Sequence, residues 1–223
     1  MTEARTQPIL LASASPRRHA LLRLLRLPFD VTSADIDETP QPGEPARDYT
    51  ARLSREKAQA VFERLEGGDA LILAADTTVA DGNEILGKPA DDVEARAMLR
   101  QLRGRVHQVY TALTLLDAAT GRRWTDVALT DVRMRDYAED EIDTYIASRD
   151  PFDKAGGYAI QNTTFRPVAG LRGCYANVMG LPLCEVVRAL RDFGMTVPPS
   201  APGLCTHVDD PGCDIDPELL NRL

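Results

Sequence analysis

A pair of arginines opens a helical segment near the start of the chain, within residues 13–18 (Ser-Ala-Ser-Pro-Arg-Arg). Ser15 is a suitable N-cap, and Pro16 suits the first helical position. Arg17 and Arg18 then fall in the first turn, where the helix dipole repels cations. Cations beside free backbone N–H groups favour a bound anion, for which phosphate is the best candidate. The alternative is a solvated arginine pair beside an ordinary cap.

A carboxylate and two hydroxyls follow the apolar run 70–75. Because Asp76 comes directly after a buried strand, its side chain is expected at the carboxyl edge of the sheet, where α/β proteins bind ligands. Capping of a turn is the alternative for Asp76. The hydroxyls of Thr77 and Thr78 either contact the same ligand or continue the strand.

A lysine lies on the apolar face of the longest helical segment, residues 45–66. Leu53, Lys57 and Val61 follow one another at intervals of four residues, which places them on one stripe. A cation on the buried side of a helix needs a partner or must extend to solvent, and both interpretations stay open for Lys57.

A second lysine ends residues 82–88, which have the GxxxxGK spacing of a phosphate-binding loop. Pro89 follows in place of the Ser or Thr whose hydroxyl would bind magnesium, and the interior of the segment holds Ile and Leu, so we reject that loop. Lys88 can still reach a phosphate as a point charge, or be a solvated turn lysine.

Acidic residues crowd the loop 33–44 at Asp35, Asp37 and Glu38. Together with Asp76 they could hold Mg²⁺, which takes one or two protein carboxylates and completes its shell with water and phosphate oxygens. A solvated acidic loop is the alternative, and we prefer it for Asp35 and Asp37.

A glycine-rich segment, residues 153–161, combines charge, backbone freedom and a terminal amide. Paired glycines let a backbone approach a ligand closely, and Gln161 can contact the edge of a base through both a donor and an acceptor. A plain glycine-rich turn is the alternative. His107 is interpreted as structural, and no pairing of Cys or Ser with His indicates a covalent nucleophile.

Composition limits the class of protein. The 223 residues are 43% hydrophobic and 27% charged, which is typical of a soluble globular protein. The net charge of −8 argues against a nucleic-acid partner. No apolar run is long enough to cross a bilayer and no signal peptide is recognised, so we expect a cytoplasmic protein without a membrane partner.

The strands and helices that must position these residues interleave without a strict βαβ rhythm, which predicts an α/β fold with a mixed sheet. The predicted strands are 8–12, 29–32, 70–79, 84–86, 106–117 and 122–135, the last two forming a hairpin. The predicted helices are 16–27, 45–66, 91–103, 138–148 and 182–193. Residues 8–197 are expected to form the domain, and the segment 198–223, rich in proline and acid, an extension.

Taken together, these motifs resemble the Maf family of nucleoside triphosphate pyrophosphatases, in family order, over residues 8 to about 193. The matching segments are 10–18, 36–38, 55–58, 75–77, 86–89, 153–161 and 180–182. The resemblance implies a mixed, twisted sheet flanked by helices, two lobes around a central cleft, often a homodimer, and a divalent cation (Mg²⁺ or Mn²⁺). It also implies hydrolysis of a nucleoside triphosphate to the monophosphate and pyrophosphate. The Arg-Arg, Ala-Asp-Thr and Ile-Gln motifs resemble the branch that prefers dTTP and UTP.

The resemblance further implies roles for the matching polar residues. Ser13, Arg18, Lys57 and Lys88 match family positions in the phosphate cleft. The two lysines are also expected to be catalytic. Arg17, Thr77 and Gln161 match the family positions that determine which base is accepted. Glu38 corresponds to a metal-binding or catalytic carboxylate, and Asp76 to the proton acceptor, which would share the metal.

Other functions stay open. A phosphotransferase could use the same anion cleft, and other modified nucleoside triphosphates could be the substrates. A nucleotide-binding regulatory protein linked to cell division is a further alternative. Ala159 stands where the family often has a glycine after the tyrosine, which leaves the base side less defined than the phosphate side.

Overall fold

The computed structural model describes residues 7–65 and 68–197. Its strands are β1 (Ile9–Ala12), β2 (Phe29–Thr32), β3 (Leu71–Asp81), β4 (Glu84–Leu86), β5 (Val106–Asp117), β6 (Arg123–Met134) and β7 (Val168–Arg172). Its helices are α1 (Pro16–Arg23), α2 (Ala46–Arg64), α3 (Asp92–Leu102), α4 (Glu139–Ala147), α5 (Tyr175–Met179) and α6 (Leu183–Asp192). Short 3₁₀ turns lie at Asp150–Asp153 and Ala155–Gly157.

The strands form one mixed sheet in the order β2-β1-β3-β5-β6-β7, with β4 also beside β3. β1 runs parallel to β2 and β3, whereas the β3–β4, β3–β5, β5–β6 and β6–β7 pairs are antiparallel. This confirms the predicted mixed α/β fold. No helix within the described ranges has both the length and the apolar character needed to cross a membrane.

The long strand β3 has an open stretch along one edge. β1 ends with Ala12 opposite Ala74, and β4 pairs with β3 only from Val79 onward. Residues 75–78 therefore pair with β5 alone. Because side chains alternate between the faces of a strand, groups from both faces of the sheet can reach this gap.

Hydrophobic clusters lie on both sides of the gap. Leu71 and Leu73 face α1, α5 and α6, whereas Ile72 and Ala74 face α2 on the opposite side of the sheet. A third cluster surrounds Val79 and includes side chains of α3 and α4. The sheet thus connects two lobes, and β3 passes through both.

Most predicted elements agree with the structure to within a few residues, and the hairpin of β5 and β6 is confirmed. The prediction 16–27 was too long, because α1 ends at Arg23 and a turn follows, with Arg26 at φ 54°. The strand β7 and the five-residue helix α5 were missed. The predicted extension 198–223 lies outside the described residues.

Candidate active site

A cleft of about 740 Å³ opens at the gap beside β3 and lies between the two lobes. Every site residue predicted from the sequence contributes to its lining, as do backbone and side chains of the glycine-rich segment. The predicted residues in the lining are Ser13, Arg17, Arg18, Glu38, Lys57, Asp76, Thr77, Lys88 and Gln161. The structure brings these residues together, while their individual roles stay predictions.

The start of α1 has the predicted cap. The Ser15 hydroxyl accepts a hydrogen bond from the backbone N–H of Arg18, and Pro16 occupies the first turn. The Ser13 hydroxyl in turn accepts from the backbone N–H of Ser15 at 3.2 Å. No acidic residue lies in this first turn, so the helix terminus keeps its positive character.

The guanidinium of Arg18 is held entirely by neutral groups. It donates to the Gly180 carbonyl at 2.8 Å, to the Ser13 hydroxyl at 3.3 Å and to the Thr77 hydroxyl at 3.0 Å. Burial lowers the pKa of Arg18, and the nearby charge of Asp76 partly opposes this. No carboxylate in the described part of the chain forms an ion pair with it. Such a cation is suited to a bound anion.

Arg17 behaves differently from its neighbour. It reaches the opposite lobe, where it donates to the Asp153 carboxylate at 2.8 Å. Asp153 also accepts from the buried ammonium of Lys154, which contacts the Asp150 carboxylate at 2.9 Å. Arg17 therefore connects α1 to the glycine-rich segment across the cleft.

Lys57 lies between two carboxylates. Its ammonium contacts Asp76 Oδ1 at 2.6 Å and Glu38 Oε1 at 2.7 Å, so this buried lysine has partners and does not extend to solvent. Burial of Glu38 opposes its ionisation, but the hydrogen bond from Lys57 and the charges of Lys57, Lys88 and Arg18 outweigh burial and lower the pKa of Glu38. The carboxylate charge at this position is therefore stabilised.

Two side chains of α2 fasten the loop that carries Glu38. The Tyr49 hydroxyl donates to the Glu38 carbonyl at 2.7 Å, and Arg52 donates to the Thr39 carbonyl at 3.1 Å. Arg52 also pairs with Glu44 farther along the loop. The sequence did not predict either role, because no local pattern connects α2 with the loop 33–44.

The neighbouring acids agree with the preferred interpretation of a solvated loop. Asp37 is exposed and accepts from the backbone N–H of Thr39 at 2.9 Å, and Asp35 is exposed. Neither lines the cleft, so Glu38 is the one of these three acids that joins Asp76 there.

The second lobe supplies Lys88 and Gln161. The loop of Lys88 is joined to the glycine-rich segment by a hydrogen bond from Gly156 N–H to the Gly87 carbonyl at 2.9 Å. Gly156, at φ 70°, packs against Val79 so closely that a Cβ would lie 2.9 Å from a methyl carbon. Among the described residues, neither Lys88 nor Gln161 has a hydrogen-bond or ion-pair partner, so both are available to a ligand.

His107 has the structural role that the sequence indicated. It is fully buried, its Nε2 lies 2.8 Å from the Tyr158 hydroxyl, and burial lowers its pKa to about 4. Tyr158 lines the cleft, so His107 supports its wall from behind.

Glycine also contributes to the site. Gly180 ends α5 at φ 107°, and its carbonyl holds Arg18. A Cβ there would lie 3.2 Å from the Thr77 hydroxyl and 3.3 Å from Arg18 Nε. The motif at 180–182 was noted in the sequence without a role, because nothing local connects it with α1 or β3.

For a cation, the cleft offers the carboxylates of Glu38 and Asp76. No cluster of three or more His, Cys, Asp or Glu side chains with metal-binding geometry occurs in residues 7–65 and 68–197. Any metal here would thus depend on two protein carboxylates together with water or ligand oxygens.

Comparison with known proteins relates this chain to a family. The model of the family described as Maf-like protein matches residues 8–193. The dTTP/UTP pyrophosphatase of Myxococcus xanthus (strain DK1622) is 50% identical over 190 residues, covering 85% of this chain and 94% of that one. That of Syntrophus aciditrophicus (strain SB) is 46% identical over 189 residues, covering 85% and 91%. A solved nucleoside-triphosphatase / dITP/XTP pyrophosphatase from Mycobacterium abscessus is 16% identical, with a TM-score of 0.40, over 84% of this chain and 94% of that chain, a likeness too loose to inform the site.

Proposed function

This chain belongs to the Maf family, and on that premise we propose that it hydrolyses nucleoside triphosphates, dTTP and UTP foremost, to the monophosphate and pyrophosphate. The observation that carries the proposal is one cleft in which Arg18, a cation held only by neutral groups, lies near the set Glu38–Lys57–Asp76. A triphosphate needs such cations, and its hydrolysis needs the acids. A protein that only sensed nucleotides would need the cations more than the acids.

The reaction is an in-line attack of water on the α-phosphorus. A bond forms between water oxygen and this phosphorus, and the bond from the phosphorus to the bridging oxygen breaks, so that its electron pair leaves with pyrophosphate. Asp76 accepts the proton of the attacking water. Lys57, in contact with Asp76 at 2.6 Å, holds the carboxylate in position. Arg18 and Lys88 stabilise the negative charge of the phosphates.

The carboxylates fit a hard divalent cation, Mg²⁺ or Mn²⁺. Asp76 is buried, whereas the Glu38 side chain is 50% exposed, so the pair offers oxygen atoms toward the cleft and leaves room for water and phosphate oxygens. When bound, such a cation would neutralise phosphate charge. Glu38 and Asp76 are the residues that would hold it.

Hydrolysis in ¹⁸O-labelled water tests the position of attack. We expect the label in the nucleoside monophosphate and none in pyrophosphate when the full chain is incubated with UTP and Mg²⁺. Label in pyrophosphate would mean attack at the β-phosphorus and would contradict the proposal. A phosphorylated acceptor without free pyrophosphate would favour a phosphotransferase. Tight binding without turnover of any nucleotide would favour a regulatory role in cell division.

Substrate choice is tested with a panel of canonical and modified triphosphates, scored for pyrophosphate release with and without metal. We expect dTTP and UTP to be turned over faster than CTP, ATP or GTP. If a modified nucleotide is hydrolysed faster than both dTTP and UTP, that compound becomes the better candidate for the physiological substrate. Location in the cytoplasm, assembly as a homodimer and the absence of a nucleic-acid partner stay predictions.

A further inference from the structure

A chain of hydrogen bonds runs from the cleft into the core between α1 and α5. Arg18 Nη2 lies 3.0 Å from the Thr77 hydroxyl, which lies 2.9 Å from the Thr111 hydroxyl, which lies 2.8 Å from the backbone carbonyl of Asn177. Thr77 on β3 and Thr111 on β5 are directly paired in the sheet. Thr111 is fully buried and does not line the cleft.

The chemistry of the two ends determines the direction of every proton in this chain. A guanidinium can only donate, and a backbone carbonyl can only accept. Thr111 must therefore give its single proton to Asn177, so Thr77 must give its own proton to Thr111. The Thr77 hydroxyl then accepts from Arg18 and has one lone pair left.

The acceptor end is fixed by its surroundings. Asn177 is fully buried, and its side-chain amide donates to the Val109 carbonyl at 3.1 Å and to the Thr130 hydroxyl at 2.8 Å. The Asn177 carbonyl also accepts from the Gly180 N–H at 2.9 Å, so it keeps a partner in either case. Turning the Thr111 proton away would instead leave two oxygen atoms facing each other at 2.8 Å with no hydrogen between them, which is repulsive. The direction of the Thr77 proton is therefore set from within the core.

A ligand group that meets Thr77 must consequently be a donor, which excludes phosphate oxygens. Uracil and thymine share an imide N3–H, whereas cytosine has an acceptor at N3. We propose that Thr111 is a positioning residue that keeps Thr77 a hydrogen-bond acceptor toward the cleft and so selects pyrimidines with an imide N–H over cytosine. This inference rests on the proposed function, since it concerns the nucleotide bound for hydrolysis.

Replacement of Thr111 by valine tests the proposal, because valine keeps the shape and removes the hydroxyl. The Thr77 proton is then free to turn toward the cleft and meet the cytosine N3. We expect the ratio of kcat/KM for UTP over CTP to fall by about tenfold, the scale on which an unmatched polar contact rejects a substrate. Thr111→Ser, which retains the hydroxyl, should keep the parental ratio.

Thr114→Val is the matched control. Thr114 lies on the same strand, is equally buried, and contacts Ser54 and Thr125 outside the cleft. It should leave the UTP-to-CTP ratio unchanged. If Thr111→Val does not fold, Thr111→Ala removes the same hydroxyl with less bulk.

The outcomes separate this inference from the proposed function. Dissociation constants for UTP and CTP, measured on the same variants by calorimetry, report the preference without turnover. If the parent protein hydrolyses UTP and Thr111→Val keeps the parental preference for UTP over CTP, the role of Thr111 is overturned and the proposed function stands. Thr111→Val could also change the preference for UTP over 3′-deoxy-UTP while its preference for UTP over CTP stays unchanged. That result would overturn the proposal too, because Thr77 would then contact the sugar. A parent without turnover overturns the proposed function, and the binding ratio still decides on Thr111.

Discussion

Asp76 and Thr77 are consecutive on β3, yet their side chains lie on opposite faces of the sheet. Asp76 contacts Lys57 of α2, whereas Thr77 contacts Arg18 of α1. Both reach the same cleft because β3 has no neighbour on that edge over residues 75–78. One gap in the sheet thus combines a carboxylate pair from one face with a cation and hydroxyls from the other.

Asp76→Asn should reduce turnover of dTTP by about 10²-fold or more and leave nucleotide affinity nearly intact, the usual scale for a lost general base. The substitution keeps the size of the side chain and removes its capacity to take a proton. Steady-state kinetics and calorimetric binding measure the two effects.

Asp81→Asn is its control, since Asp81 lies on the same strand, pairs with Arg105 and does not line the cleft. It should keep the parental rate. Hydrolysis by Asp76→Asn at the parental rate would remove Asp76 from the mechanism.

Gly180→Ala should raise KM for the nucleotide by about tenfold or more. The added methyl group would crowd both the Thr77 hydroxyl and Arg18 Nε, and so disturb a charge-assisted hydrogen bond. Kinetics with UTP measure the change. Gly121→Ala controls for backbone strain, because Gly121 also has a positive φ, 71°, but open space around it. Equal KM values for the two variants would contradict the role of Gly180 in holding Arg18.

Tyr49→Phe should lower kcat/KM about fivefold, since it removes one hydrogen bond, worth about 1 kcal/mol, to the loop that carries Glu38. Burial, with the charges of Asp76 and Glu38, raises the pKa of Tyr49 to about 12, so its hydroxyl stays a donor at any assay pH near neutral. The metal concentration for half-maximal activity should rise in parallel. Tyr110 is half-buried on β5 and does not line the cleft, so Tyr110→Phe should change neither kcat/KM nor the metal dependence. A Tyr49→Phe protein with parental metal dependence would argue against this positioning.

His107→Gln should weaken the dependence of stability on acid pH. The pKa of His107 is about 4 in the fold and about 6.5 when unfolded, so between these values the unfolded chain binds a proton that the folded chain does not. Stability therefore falls as pH is lowered through this window, by about 3 kcal/mol in total.

Urea unfolding at pH 7.5 and pH 4.5 measures the difference. Glutamine does not titrate, so the variant should lose less stability on acidification than the parent, even if it is less stable at pH 7.5. The same loss in both proteins would mean that carboxylates alone cause the acid sensitivity.

Local patterns of the sequence were sufficient to predict most elements. The family resemblance supplied the candidate site residues, all of which line the cleft. A continuous apolar run predicted β3, and the Ser-Pro start predicted α1, because these signals depend on residues only a few positions apart. The family motifs likewise lie within short segments. The strand β7 and the helix α5 escaped prediction because each is only five residues long.

The tertiary structure decided which groups meet, because pairing register and helix packing join residues far apart in the chain. It connected Lys57 with Asp76 and Glu38, held Arg18 on Gly180, and joined the Thr77 hydroxyl to that of Thr111. No short-range pattern carries such contacts, since each depends on where β1 ends, where β4 begins and which helix covers each face. The sequence by itself determined the chemical groups, and the folded sheet determined their partners.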